Sequence, residues 1–157
     1  MSGVIKKQRA SALANLSLFA GLTEDEREAF LAGWEPVQYE PNYVICREGD
    51  PSTDMVLVCC GTVELYSEGT RLGIVGPFEL VGEMGLLTEM PRSATVMVSG
   101  DGPVAGFCIT RRVLNQFMFS DESGITGQIL RNIIGMMAEK IRQDNERFKE
   151  LSKSISA

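Results

Sequence analysis

Gly82-Glu83-Met84-Gly85-Leu86-Leu87-Thr88-Glu89-Met90-Pro91-Arg92-Ser93-Ala94-Thr95 is the stretch that decides the fold. It reads as a tight glycine turn, one short helical turn, a break at Pro91 and a return to strand. Gly82 and Gly85 carry no Cβ, so the backbone there can approach a ligand closely. The first turn of a helix offers free N–H groups and the positive end of the helix dipole, which suits an anion. Arg92 adds a planar, permanently charged fork that matches phosphate oxygens two at a time. Glu83 would repel a phosphate. Its place beside one makes sense if it accepts a hydrogen bond from a sugar hydroxyl. Phosphate plus ribose means a nucleotide. The bland alternative is a glycine turn with a surface Glu–Arg pair, which is worth little energetically.

The pattern Gly82-Glu83-x-Gly85-Leu86, then four residues, then Pro91-Arg92-Ser93-Ala94-Thr95 closely resembles the phosphate-binding cassette of cyclic nucleotide-binding domains. That family includes catabolite activator proteins, regulatory subunits of cyclic-AMP-dependent kinase and nucleotide-gated channels. The resemblance implies cyclic AMP or cyclic GMP as the ligand. It implies that Arg92 pairs with the cyclic phosphate and Glu83 with the ribose 2′-hydroxyl. The amides of Met84 and Gly85, with the Ser93 hydroxyl, would complete a cradle turned by Gly82. The base would be covered by a C-terminal helix, where Arg131 and Asn132 are the candidates. One departure stands out. The family places Gly-Asp five and four residues before the cassette glutamate, and here those positions hold Phe78 and Glu79. A non-glycine at that turn restricts φ.

Upstream of the cassette the sequence has a strand period. Segments 35–39, 43–48, 54–60, 62–67, 70–75 and 79–81 are short apolar runs, with 94–99 and 103–109 following the cassette. Gly and Pro punctuate them, and Gly49 and Gly61 supply positive φ where strands reverse. The spacing suits a β-roll, a jelly-roll-like antiparallel barrel. Before it, residues 5–16 read as a short amphipathic helix. Thr23 and Glu26 then form a capping box, stapled by Leu22, that opens a helix reaching about Gly33. The expected class is α+β: one domain over 1–157, with N-terminal helices over 1–33, the roll over 35–109 and C-terminal helices over 110–157.

After the roll, Thr110 opens a helix containing Val113, Leu114, Phe117 and Met118, and residues 120–124 interrupt it. The longest helix runs from about Ile125 to Ile155. Leu130, Ile134, Met137, Ile141, Phe148, Leu151 and Ile155 follow a seven-residue a/d pattern, broken once by Asp144. A stripe of that length has nothing left in its own chain to bury it. A parallel homodimer through this helix is the expectation, as in dimeric members of the resembled family.

Composition narrows the function classes. The chain has 157 residues, 44% hydrophobic and 23% charged, an ordinary globular balance. Net charge is −6, which argues against nucleic acid as the main partner. The resembled bacterial regulators carry a helix-turn-helix after the long helix, but here only Ser156 and Ala157 follow Ile155, so DNA binding is not expected. No apolar run approaches the ~20 residues of a spanning helix, and no signal peptide is present, so a cytoplasmic location without membrane contact is expected. Cys46, Cys59, Cys60 and Cys108 form no C-x-x-C pair, and there is no histidine. These absences argue against a metal site and against general-base catalysis. The expectation is a non-enzymatic sensor that signals by moving its C-terminal helix to an unknown effector protein. The alternative is a degenerate nucleotide fold kept as an interaction or dimerisation module.

Overall fold

The computed structural model describes residues 13–14, 16–120 and 124–156. The helix expected over 5–16 therefore lies outside the described residues except for Leu13, Ala14 and Leu16, and so do Asp121–Ser123. The chain divides into two compact units: residues 30–120, and the described residues before 30 together with those after 123.

The first unit is the roll. Its strands are β1 (Glu35–Tyr39), β2 (Val44–Cys46), β3 (Asp54–Cys60), β4 (Val63–Ser67), β5 (Thr70–Val75), β6 (Leu80–Val81), β7 (Thr95–Val98) and β8 (Val104–Thr110). They form two four-stranded sheets, ordered β1-β8-β3-β6 and β2-β7-β4-β5, and every pairing is antiparallel. This is the α+β architecture built on a β-roll that the strand period predicts. Valines fill the core: Val58, Val81 and Val104 from one sheet, and Val63, Val75, Val96 and Val98 from the other. A β-branched side chain suits a pleated surface. Val58, Val63, Val98 and Val104 are wholly buried. Each contributes on the order of 1.5–3 kcal/mol before the entropy of ordering is subtracted.

Most strand ends fall within one residue of the expectation. The exception is 43–48, which shortens to Val44–Cys46. There the register against β7 slips between Val44 and Cys46, and the chain then turns. Asp50 N–H donates to the Arg47 carbonyl at 3.1 Å, and Asp50 Oδ2 accepts from Arg47 N–H at 3.0 Å. Gly49 and Gly61 both take positive φ, 83° and 82°.

Three helices lie with or beside the roll in sequence. Helix α1 (Glu24–Leu31) opens with the expected capping box: Thr23 N–H donates to Glu26 Oε2 at 2.7 Å, and Glu26 N–H to Thr23 Oγ1 at 3.3 Å. It stops two residues short of Gly33, where a Cβ would lie 2.5 Å from Val113 Cγ1. Helix α2 (Glu83–Thr88) carries the cassette, and α3 (Arg111–Ser120) follows β8 directly. Phe30 packs on Trp34 and Phe117 with ring centroids 5.5 and 5.1 Å apart.

In the second unit a 3-10 turn (Ser17–Phe19) packs on α4 (Ile125–Ile155), a helix of 31 residues. Asn132 Nδ2 donates to the carbonyls of Leu18 and Ala20, each at 2.9 Å. The face α4 buries is Ile129 and Ile133, not the a/d seam. Ile134, Ile141, Phe148, Leu151 and Ile155 of that seam are exposed, while Leu130 and Met137 are half-buried.

Candidate functional site

The cassette begins where β6 hands over to α2. Gly82 sits at the helix N-cap with φ 88° and ψ 3°. A Cβ there would lie 2.1 Å from Arg92 Nη1 and 3.0 Å from the Asp54 carbonyl oxygen. Glycine is therefore required twice, by backbone conformation and by space. Gly85 is as closely packed: its Cβ would lie 1.9 Å from Ser52 Oγ. The helix ends at Glu89 in the left-handed region, φ 60°, and Pro91 forbids its return.

Arg92 is 8% exposed and Glu83 is 7% exposed. Two charged residues buried nine positions apart need an explanation, since such groups are seldom buried without partners. Part of it lies at the start of β3. Arg92 Nη2 donates to Asp54 Oδ1 at 2.6 Å, a charge-assisted bond with the carboxylate about one-third exposed. The Arg92 backbone is pinned as well, its N–H donating to the Asp50 carbonyl at 2.8 Å and its carbonyl accepting from Gly49 N–H at 2.9 Å. Arg92 Nε nevertheless remains buried with no acceptor among the described residues. A guanidinium held from one side, orphaned at Nε and pressed against a glycine backbone is what an anion would complete.

The other expected site residues are placed as follows. Met84 is half-exposed and Ser93 is exposed. Arg131 is exposed and donates to Gln128 Oε1 at 2.9 Å. Asn132 has its amide donors on the Leu18 and Ala20 carbonyls and accepts from Gln128 Nε2 at 3.0 Å. Asn132 thus has a structural occupation that competes with covering a base. Phe78, where the resembled pattern has glycine, takes a left-handed conformation, φ 70°. The turn holds it there: Phe78 N–H donates to the Val58 carbonyl at 2.6 Å, and Glu79 Oε2 accepts from Gly76 N–H at 2.8 Å.

Two contributors were invisible in the sequence. Asp54 opens an apolar strand, and nothing local marks it as the partner of Arg92. Arg111, at the start of α3, donates through Nη2 to the carbonyls of Ser52, at 2.5 Å, and Gly85, at 3.0 Å. A depression of about 780 Å³ opens beside it, lined by Pro51, Ser52, Thr53, Pro91, Arg111 and Arg112 among others, and by none of Glu83, Arg92 and Ser93.

Burial raises the titration of three side chains of the roll. Burial pushes the Cys108 thiol up to about 11 and the Tyr39 hydroxyl up to about 12. Burial also raises Cys46, outweighing the opposite pull of Arg92. Among the described residues no cluster of three or more His, Cys, Asp or Glu side chains is placed to hold a metal ion. No described helix is long and apolar enough to cross a membrane.

Known proteins resemble this chain in sequence and in fold. The chain is 32% identical over 103 residues to the acetyltransferase Pat of Mycolicibacterium smegmatis, covering 63% of this chain and 30% of that one. It is 33% identical over 97 residues to a cAMP-dependent protein kinase regulatory subunit of Pyricularia oryzae, covering 59% and 24%. The chain thus spans less than a third of these curated relatives. A crystal structure of a cyclic nucleotide-binding domain from Methylobacillus flagellatus superposes with a TM-score of 0.79 at 19% identity, covering 92% of this chain and 82% of that one. The Thermus thermophilus catabolite activator protein superposes with a TM-score of 0.68 at 26% identity, covering 87% and 63%. The family model described as "Cyclic nucleotide-binding domain" matches residues 36–121, which takes in the roll from the second residue of β1, the cassette and α3. The chain belongs to the cyclic nucleotide-binding domain family.

Proposed function

We propose that this chain is a non-catalytic cyclic nucleotide sensor whose ligand lies on the cassette. Arg92 takes the cyclic phosphate, the amides around Met84 and Gly85 complete the cradle with the Ser93 hydroxyl, and Glu83 accepts from the ribose 2′-hydroxyl. The observation that carries this reading is Arg92: buried, orphaned at Nε, and packed against a glycine that tolerates no Cβ. Burial of Glu83 in the first turn of α2 supports its role, because a carboxylate there is favoured by the helix dipole and shielded from water. Relatives named for cAMP make cyclic AMP the first ligand to test, with cyclic GMP beside it.

Signalling is proposed to run through α4. Its exposed seam fits a second copy of the same helix, so the sensor works as a homodimer, and ligand favours one position of the helix over another. The effector is a protein, and the location is cytoplasmic. Acetyl transfer belongs to Pat, of which this chain matches under a third, and no part of that activity is assigned here.

A second reading is favoured by the 2.6 Å bond from Arg92 to Asp54. If that pair is permanent, the roll is an interaction module without a ligand. One experiment separates the two. A charge-assisted hydrogen bond is worth ~1.5–3 kcal/mol, so losing Arg92 weakens binding by about ten- to a hundredfold. At a ligand concentration near the wild-type dissociation constant, cyclic AMP or cyclic GMP should raise the melting temperature of the wild type and leave Arg92→Ala nearly unmoved. Equal shifts in both proteins, or none in the wild type, would overturn the sensor.

A further inference from the structure

The cassette is held from outside by a residue that is not itself one of the proposed ligand contacts. Arg111 is the first residue of α3. Its backbone N–H donates to the Thr53 carbonyl at 2.8 Å. The two hydrogens of its Nη2 go to different stretches of chain, one to the Ser52 carbonyl at 2.5 Å and one to the Gly85 carbonyl at 3.0 Å. Ser52 and Gly85 are themselves in contact, since a Cβ on Gly85 would overlap Ser52 Oγ. One guanidinium therefore clamps the loop before β3 onto the middle of α2. The clamp is not made for its ion pair: the Glu89 carboxylate is 3.6 Å from Nη1 and 76% exposed, which is worth little. It also leaves Nε buried with no acceptor among the described residues, a cost tolerated at this position.

We infer that Arg111 is a positioning residue for the phosphate cradle, fixing the peptide that follows Gly85 and, through it, the direction of the Gly85 and Met84 amides. This inference rests on the sensor reading and deepens it. Anchoring the Gly85 carbonyl fixes the backbone at a glycine, where no side chain would otherwise restrain it. The same guanidinium and its backbone N–H hold Ser52 and Thr53, the two residues before the Asp54 that holds Arg92. Both halves of the anion site, amides and guanidinium, are thus registered against one side chain at the start of α3. Preorganised donors bind an anion more tightly than donors that must be ordered on binding.

The test uses the full chain labelled with nitrogen-15. Wild type, Arg111→Met, Arg111→Lys and Arg112→Met are compared by amide spectra without ligand and by calorimetric titration with cyclic AMP below each melting temperature. Arg112 is the control, exposed and one residue along the same helix. Arg111→Met should move the Gly85 and Met84 amide resonances and raise the dissociation constant about tenfold. Arg111→Lys should recover part of both, because an ammonium keeps the charge and loses the planar fork. Arg112→Met should change neither. If Arg111→Met fails to fold, Arg111→Lys carries both readouts against wild type. Gly85 and Met84 amides that move no more than in Arg112→Met overturn the inference, as does a folded variant binding with wild-type affinity. A wild type that binds no cyclic nucleotide, or an Arg92→Ala that binds normally, sinks the sensor reading instead. The ligand-free spectra then still decide whether Arg111 holds Gly85.

Discussion

The cassette and the far half of α4 break the same rule in opposite directions. In the cassette, charged side chains are buried: Arg92 at 8% exposure and Glu83 at 7%. In α4, large apolar side chains are exposed: Ile141, Phe148 and Ile155 at 60, 74 and 83%. A buried charge costs free energy unless it is paired, and an exposed apolar stripe forgoes burial that would stabilise. Each region is therefore incomplete in a chemically specific way. On the cassette side it is Arg92 Nε that has no acceptor among the described residues, and an anionic group would supply one. The exposed stripe would be covered by an apolar surface of matching period, which in the proposed homodimer is a second copy of the helix. The contrast teaches that unsatisfied chemistry, more than pocket volume, marks where this molecule meets something else. The 780 Å³ depression includes neither Glu83 nor Arg92.

The largest effect is expected on the helical side of this comparison. In a parallel pair Phe148 faces Phe148, so Phe148→Asp sets two carboxylates against each other. Like charges so placed cost several kcal/mol. Sedimentation should show a wild-type dimer and a Phe148→Asp monomer across at least a hundredfold range of concentration. The melting of the roll should stay within about 0.5 kcal/mol of the wild type, as for other exposed positions. A wild type that sediments as a monomer at every concentration breaks the symmetry of the two regions, leaving only the cassette in want of a partner.

Gly82→Ala probes the cassette side. A non-glycine residue at φ 88° costs ~1–3 kcal/mol. The new Cβ also overlaps Arg92 Nη1, so the guanidinium must leave its place against the backbone. Urea unfolding should report the stability loss, and calorimetry should report binding weakened beyond what the folded fraction explains. Retention of full affinity would mean that close approach between Arg92 and the Gly82 backbone is not what prepares the anion site.

How much of this was legible beforehand depended on the range of each interaction. The roll was legible because strand alternation and turn glycines are local, and the valine-rich runs carry their own period. The capping box at Thr23 and Glu26 was legible for the same reason, with its bonds spanning three residues. The cassette was legible because Gly82, Glu83, Gly85 and Arg92 lie within one short stretch. Asp54 was not, because its bond to Arg92 spans 38 residues, nor was Arg111, whose bonds span 26 and 59. Asn132 shows the same limit from the other side. Its polarity early in a helix suggested a ligand contact, while its amide serves carbonyls 114 and 112 residues away.

Phe78 sharpens the comparison most finely, because it is an exposed apolar residue on the cassette side. Its ring is 51% exposed while its backbone sits at φ 70°. A non-glycine at this turn restricts φ, yet the turn holds Phe78 in the left-handed region that favours glycine. Two hydrogen bonds hold the strained peptide, from Phe78 N–H to the Val58 carbonyl and from Val58 N–H to the Glu79 carbonyl. The strain is separable from the ring. Phe78→Ala removes the ring and keeps a Cβ, whereas Phe78→Gly removes both. If the left-handed backbone is the cost, Phe78→Gly should be more stable in urea than Phe78→Ala by about 1 kcal/mol, despite the greater entropy of glycine in the unfolded chain. Equal stability would mean that the turn relaxes once the ring is gone, so that Phe78 itself, through its half-buried ring, holds the backbone leading into the cassette.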